Sequence, residues 1–356
     1  MALTRLEISR LRNIERATLD PSTHINVLIG DNGSGKTSVL EAVYLLGRGR
    51  SFRTTHASQI VQLQQSELVV TGVVHEEPGP RTPLGVRLTR QERELLLAGQ
   101  RVQSSAELVR AFPVLVIHPS SASLLDAPPK LRRQFLDWGV FHVEPSYLDN
   151  WRRYTKALNH RNALLKQRRP ADLGPWNQEV ARYGTMLAKA RGQYLLRLQP
   201  HLDDVLRHFF SGCLVRIEHA QGWKPDRTLL QVLCNDLSPD LEYGYTQSGP
   251  HKGDFTVYVN DKLAKTYLSR GQAKLMVYAL LLAQSNLLDR AAQPICLLID
   301  DVASELDRNN RKMLLDLLLQ RQAQCFVTAA HQDDVRFALA DNATMFHVEH
   351  GRISHA

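Results

Sequence analysis

The chain has 356 residues, enough to bury a sizeable core in two or three domain-sized units. Its 43% hydrophobic and 22% charged residues leave no low-complexity tract, its longest apolar runs (Val277 to Ala283) are too short to cross a bilayer, and Arg5, Glu7, Arg10 and Arg12 near the start preclude a secretory segment. A cytoplasmic protein is expected, and a formal charge of +8 suits a polyanionic partner without requiring one.

From the N-terminus, His24 to Ile29 is a short β-rich run, followed by Gly30-Asp31-Asn32-Gly33-Ser34-Gly35-Lys36-Thr37 and the amphipathic stretch Ser38 to Leu46. Strand, glycine loop and helix in that order match G-x-x-x-x-G-K-T, the Walker A pattern. Its glycines let successive backbone N–H groups turn inward around phosphates at a helix N-terminus. Lys36 is expected to reach the β- and γ-phosphates, and the Thr37 hydroxyl to coordinate Mg²⁺.

Val114 to Ile117 reads as a strand, and after Pro119 helical periodicity continues to about Phe210, marking a helical lobe. Within it, Asn150 to Arg169 holds seven Lys or Arg and no Asp or Glu, with Trp151, Tyr154, Leu158 and Leu165 near one helical face. That basic amphipathic helix is either a solvated face or a DNA-facing one, with Arg152, Arg153, Lys156, Arg161 and Lys166 as the candidate contacts. Pro170 and Gly174-Pro175 are expected to end it. No sustained heptads follow, which excludes long coiled-coil arms.

Leu268-Ser269-Arg270-Gly271-Gln272 begins a helix, with Ser269 as N-cap and Gln272 three residues on. A Ser hydroxyl and a Gly N–H at a helix N-terminus also make a second anion site, one that cannot easily serve the same phosphate as the first, so a second subunit is implied. Ile295 to Ile299 is an uninterrupted apolar run that reads as a buried parallel strand ending in Asp300-Asp301, a Walker B pattern. Asp300 would hold the Mg²⁺ shell, and Asp301 could orient or deprotonate the attacking water. Cys213, Cys234, Cys296 and Cys325 show no C-x-x-C pair and read as buried thiols, while His347 and His350 beside Glu349 lack a complete ligand set.

Walker A, an L-S-x-G-Q signature and Walker B in this order resemble the ABC-class ATPases, and more closely the RecF family. The RecF-like residues are Leu3 to Leu6 with Arg12-Asn13-Ile14, Gly49 to Arg53, Leu131 to Trp138, Gly249 to Asp254, the signature Leu268 to Gln272, and Asp300 to Asp307. The resemblance implies an α/β P-loop ATPase head like those of Rad50 and SMC proteins, with an inserted, largely helical second lobe. The expected parts are an N-terminal ATPase portion at 1–118, a helical lobe at 119–211, and a C-terminal portion at 212–356 carrying the signature and Walker B. It also places Arg12 and Asn13 at the nucleotide, sets Ser269, Arg270, Gly271 and Gln272 against the γ-phosphate held by an opposite protomer, and makes Ser304 to Asp307 a D-loop across the same interface. The implied activity is a slow, DNA-stimulated ATPase switch that dimerises around ATP, clamps DNA, and works with RecR and RecO in loading RecA at gaps and in SOS induction.

This sequence departs from those families in places. Asp301 stands where ABC ATPases usually carry Glu and is one methylene shorter, so slow hydrolysis is expected. Leu11 replaces an aromatic, serines replace acids around His118-Pro119-Ser120-Ser121, and His331 falls slightly late for a switch histidine. Gly249 to Asp254 has no chemistry of its own beyond a tight turn. The competing readings are the nucleotide-binding subunit of an ABC transporter, whose signature normally lies nearer Walker A, and a small-molecule P-loop kinase, which has no use for a signature helix.

Overall fold

The computed structural model describes residues 1–76, 78–210, 212–290, 294–301, 306–321, 323–335 and 343–355. It divides into two compact units, Met1–Ser121 with Leu288–Ala356, and Ala122–Leu287.

The first unit begins with β1 (Ala2–Leu11) and β2 (Ile14–Leu19), an antiparallel pair with Leu6 opposite Leu19. β3 (Ile25–Ile29) is buried at all five positions, as a parallel strand covered on both faces must be. Helix α1 (Lys36–Arg48) follows the glycine loop and ends at Gly49, a left-handed C-cap with φ 64° that glycine adopts without Cβ strain. Then come β4 (Glu67–His75), β5 (Arg81–Thr89), β6 (Arg93–Leu97) and β7 (Gln100–Arg101), which complete a sheet of order β2-β1-β4-β5-β6-β7. α2 (Ser105–Ala111), N-capped by Ser104, leads to β8 (Val114–Ile117).

In the second unit, α3 (Pro129–Val143), α4 (Tyr147–Lys166) and α5 (Gly174–Phe209) are the expected helices. Gly174-Pro175 opens α5 rather than serving only as a breaker, because proline's fixed φ and missing N–H suit a helix's first turn. β9 (Val215–Ala220), α6 (Leu229–Asn235) with a Thr228/Gln231 capping box, α7 (Leu237–Tyr243), β10 (Asp254–Val259), β11 (Lys262–Leu263) and α8 (Ala264–Tyr267) follow. β9, β10 and β11 form a small antiparallel sheet of order β11-β10-β9. Residues 212–287 therefore belong with the helices and not with the ATPase portion. The reason lies in the packing: Phe255 of β10 meets Phe135 of α3 at 5.6 Å between ring centroids, and Gln199 of α5 bonds the β9 backbone at Val215 and Ile217. α9 (Arg270–Arg290) has all but its last residues, from Leu288 on, in this unit.

The first unit closes with β12 (Cys296–Ile299), α10 (Arg308–Leu319), β13 (Cys325–Ala329), β14 (Ala343–Glu349) and β15 (Arg352–His355). The second large sheet has the order β15-β14-β3-β13-β12-β8, parallel throughout except for the β14-β15 hairpin. α1 lies between the two large sheets: Val39, Leu40, Val43, Leu45 and Leu46 join Leu3, Leu6 and Val70 on one side and Leu28, Leu298 and Phe326 on the other in one core. Each such side chain removed from water contributes about 1.5–3 kcal/mol, so the phosphate-loop helix is firmly anchored. Cys296 and Cys325 are buried as expected, whereas Cys213 is half-buried and Cys234 exposed. Among the described residues no helix is long and apolar enough to cross a membrane.

Candidate functional site

The loop between β3 and α1 is shaped by two close approaches. A Cβ on Gly30 would stand 2.1 Å from the Val348 carbonyl oxygen, and one on Gly35, at φ +122°, would press on the Asn13 amide at 3.2 Å. A side chain at Gly30 would collide with backbone and one at Gly35 would be strained by its positive φ, so both positions favour glycine and let the loop backbone approach a phosphate closely. Lys36 donates from Nζ to the carbonyls of Gly30 at 2.6 Å and Asp31 at 2.9 Å, which curls the ammonium over the loop. Burial lowers its pKa from the ordinary lysine value, an effect partly opposed by Asp301, Asp300 and Asp31. The Ser34 hydroxyl is buried without a hydrogen-bond partner.

Strand order decides the rest of the chemistry. β3 and β12 are not neighbours; β13 lies between them, and all three end at the same edge. Thr37 at the first turn of α1 therefore reaches Asp300 beyond β12, its hydroxyl 2.9 and 3.1 Å from the two carboxylate oxygens. Thr328 near the end of β13 donates to Asp300 Oδ1 at 2.9 Å and accepts the Asp301 N–H at 2.7 Å. Burial raises the pKa of Asp300, countered by the Thr328 and Thr37 hydrogen bonds. Asp301 has φ 53°, a left-handed conformation that Asp tolerates better than most residues. The parts fit a magnesium nucleotide: a glycine loop at a helix N-terminus, an ammonium, an unpartnered buried hydroxyl, and a hydroxyl–carboxylate pair of hard oxygen donors.

Arg12 and Asn13 take up supporting positions around this loop. Asn13 donates to the Gly33 and Ser34 carbonyls and accepts from Ser38, bracing the loop from the β1-β2 turn. Arg12 forms a bidentate pair with Glu41, both bonds 2.9 Å, and also donates to the Gln59 carbonyl. Glu41, fully buried on α1, additionally accepts from Ser51 and lies 3.9 Å from Arg53. The guanidinium of Arg53 is near enough to Asp300 to favour its ionised form. Thr328, Glu41 and Arg53 were not singled out from sequence. A buried Glu on the apolar helix 38–46 was the one visible signal, since a carboxylate there needs a cationic partner.

Ser269 caps α9 as expected: its hydroxyl accepts the Gln272 N–H at 3.3 Å while Gln272 Oε1 accepts the Ser269 N–H at 3.0 Å. Arg270, Gly271 and Gln272 are exposed, and a Cβ on Gly271 would meet nothing within 4 Å, so the helix start is open to an incoming group. The signature lies in the second unit and the Walker residues in the first. Of the D-loop, Ser304 and Glu305 lie outside the described residues; Asp307 caps α10 through the Asn310 N–H. His331 is exposed just beyond β13, its backbone N–H bonded to Asp334.

On α4 four of the five basic candidates are exposed and one is buried. Arg152, Arg153, Lys156 and Lys166 are exposed. Arg161 is fully buried, bonded to Asp240 at 2.6 Å, Thr246 at 2.7 Å, Asn177 at 2.7 Å and the Leu233 carbonyl at 3.2 Å, so it faces the unit's interior and not a ligand. Trp151 is the converse case, 42% exposed where an apolar face was expected.

A family model described as the RecF/RecN/SMC N-terminal domain matches residues 2–354. The chain is 40% identical over 360 residues to the DNA replication and repair protein RecF of Pseudomonas aeruginosa strain LESB58, covering 99% of this chain and 98% of that one. A solved structure of the recombination mediator protein RecF with ATP, described as part of the RecFOR pathway, superposes with a TM-score of 0.88 at 26% identity, covering 100% and 97% of the two chains. An SMC head domain with a coiled coil, derived from Pyrococcus yayanosii, shares the fold at a TM-score of 0.63 and 13% identity, covering 99% and 97%.

Proposed function

The chain belongs to the RecF family, and from that premise we propose that it is a DNA replication and repair protein whose ATP-bound form dimerises and clamps DNA. The observation that carries this reading is the meeting of Thr37 and Asp300, 263 residues apart in sequence, within 2.9 Å beside the glycine loop. Full-length similarity to RecF chains sets aside the transporter subunit.

ATP supplies the phosphoanhydride whose hydrolysis resets the switch. The loop N–H groups and Lys36 bind its phosphates, Thr37 and Asp300 hold Mg²⁺, Thr328 fixes the Asp300 carboxylate, and Asp301 orients water. Asp301 reaches less far than Glu would, so turnover is slow. Ser269, Arg270, Gly271 and Gln272 of one protomer close over the phosphates held by another, so hydrolysis requires the dimer. Partners are RecR and RecO, in keeping with the pathway of the ATP-bound relative, with RecA loading as the outcome.

DNA is held through its phosphates by the exposed face of α4. The test is ATP hydrolysis with and without DNA, together with DNA binding of Arg152→Glu/Lys156→Glu across a salt titration. The parent's affinity should fall steeply with salt, each duplex phosphate contact adding about 0.9 to the logarithmic slope, and the variant should show a flatter slope for every sequence alike. Identical titrations would remove α4 from the DNA path, and hydrolysis indifferent to DNA would reject the switch.

A further inference from the structure

The turn Gly249-Pro250-His251-Lys252-Gly253-Asp254 takes no part in the nucleotide chemistry, yet it is held from every side. A Cβ on Gly249, at φ +140°, would stand 2.7 Å from the Tyr154 hydroxyl, and its N–H bonds the Gly222 carbonyl. His251 is gripped by Tyr154 Oη at 2.6 Å and the Thr246 carbonyl at 3.0 Å. Arg191 donates to the Pro250 carbonyl, Arg133 to the Gly253 carbonyl, and Arg132 pairs with Asp254 at 2.8 Å. Of these six residues Lys252 alone is exposed. So rigid a frame beneath an exposed cation is a means of presenting it.

What Lys252 is presented beside is aromatic. Its ammonium lies 5.0 Å from the centroid of the Tyr245 ring, and Tyr245 and Tyr243 have ring centroids 6.2 Å apart on either side of Gly244, the left-handed C-cap of α7. Both tyrosines are open to solvent, 61% for Tyr243 and 41% for Tyr245, so neither serves the core. Lys166 at the end of α4 adjoins them, its Cγ 3.4 Å from where a Gly244 Cβ would be, and Glu242, the residue before Tyr243, is an exposed acid.

We propose that Tyr243, Tyr245, Lys252 and Lys166 form a stacking site for the unpaired bases of single-stranded nucleic acid. The proposal rests on the DNA-binding reading above and adds the structure of the DNA. Tyrosine rings accept bases of any identity on their π-faces, lysines at the rim neutralise the phosphates between them, and a duplex offers only base edges and so cannot use the rings. The basic face of α4 leads to this site through Lys166.

The test uses the full chain with ATP, measuring anisotropy of a labelled oligo-dT and a labelled blunt duplex. Tyr243→Ala/Tyr245→Ala should weaken single-strand binding by roughly tenfold or more and duplex binding by less than about twofold, since stacking is lost and phosphate contacts stay. Tyr243→Phe/Tyr245→Phe should restore single-strand binding, because the ring and not the hydroxyl is used. Lys252→Gln should reduce the single-strand salt slope by about 0.7. Equal loss on both DNAs, or unchanged single-strand binding by the alanine pair, overturns the site while leaving the DNA-binding reading in place. A parent that binds neither DNA overturns both.

Discussion

Asp300 illustrates how a single carboxylate is prepared for its work. Burial alone would favour its protonated form, and three things keep it available: the Thr37 hydroxyl, the Thr328 hydroxyl, and the nearby Arg53 charge. Thr328→Val keeps the side chain's shape and removes two hydrogen bonds, the one donated to the Asp300 carboxylate and the one accepted from the Asp301 N–H. The Mg²⁺ concentration for half-maximal hydrolysis should then rise roughly ten- to hundredfold with nucleotide binding retained. A Mg²⁺ titration that overlays the parent's would show that Thr328 only supports the strand. Lys36→Arg should retain some nucleotide affinity and lose hydrolysis, because a planar guanidinium cannot place its charge where the ammonium curls over Gly30 and Asp31. Normal turnover in that variant would take Lys36 out of the site.

Helix α4 divides its cations by face, with Arg161 buried and Arg152, Arg153, Lys156 and Lys166 exposed. Arg161→Ala leaves the fully buried Asp240 without its cationic partner, a defect of about 3–5 kcal/mol. Urea denaturation should register it, whereas Arg152→Ala on the exposed face should change stability by less than about 0.5 kcal/mol. The turn after α7 carries a pH dependence of its own. Burial pushes the His251 imidazole down to about 4 from 6.5, so the unfolded chain takes up a proton that the folded one refuses. This contribution to stability is whole above about pH 6.5 and is lost as pH falls toward about 4. His219, also pushed down to about 4 by burial, acts in the same direction. The urea midpoint should drop between pH 7 and pH 5 by less in His251→Gln than in the parent; equal drops would assign the acid sensitivity to other groups.

At the scale of the whole molecule, the Walker residues and the signature occupy different compact units. The capped start of α9 is open at Arg270, Gly271 and Gln272, and the proposed composite site would set it against another protomer's phosphate. Ser269→Arg should leave monomer ATP binding unchanged and abolish the ATP-induced dimer in sedimentation, since the bulky cation blocks the helix N-terminus. A dimer formed by this variant would refute the composite site.

Sequence by itself determined what is encoded in contiguous residues. The glycine loop is eight residues whose backbone freedom and helix N-terminus make a phosphate cradle wherever they occur. The Ser269/Gln272 capping box and the apolar run into Asp300 are likewise local, and each stands as read. Tertiary structure decided what depends on partners far along the chain. A basic helix does not announce which cation turns inward; Arg161 does so because Asp240 and Thr246, 79 and 85 residues away, wait to receive it. Residues 212–287 group with the helices because β9 and β10 pair with each other and pack on α3 and α5, an association invisible to periodicity. Thr328 reaches Asp300 only because β13 is inserted between β3 and β12. Strand order is a property of the sheet as a whole, since hydrogen bonding between strands carries no requirement that partners be near in sequence.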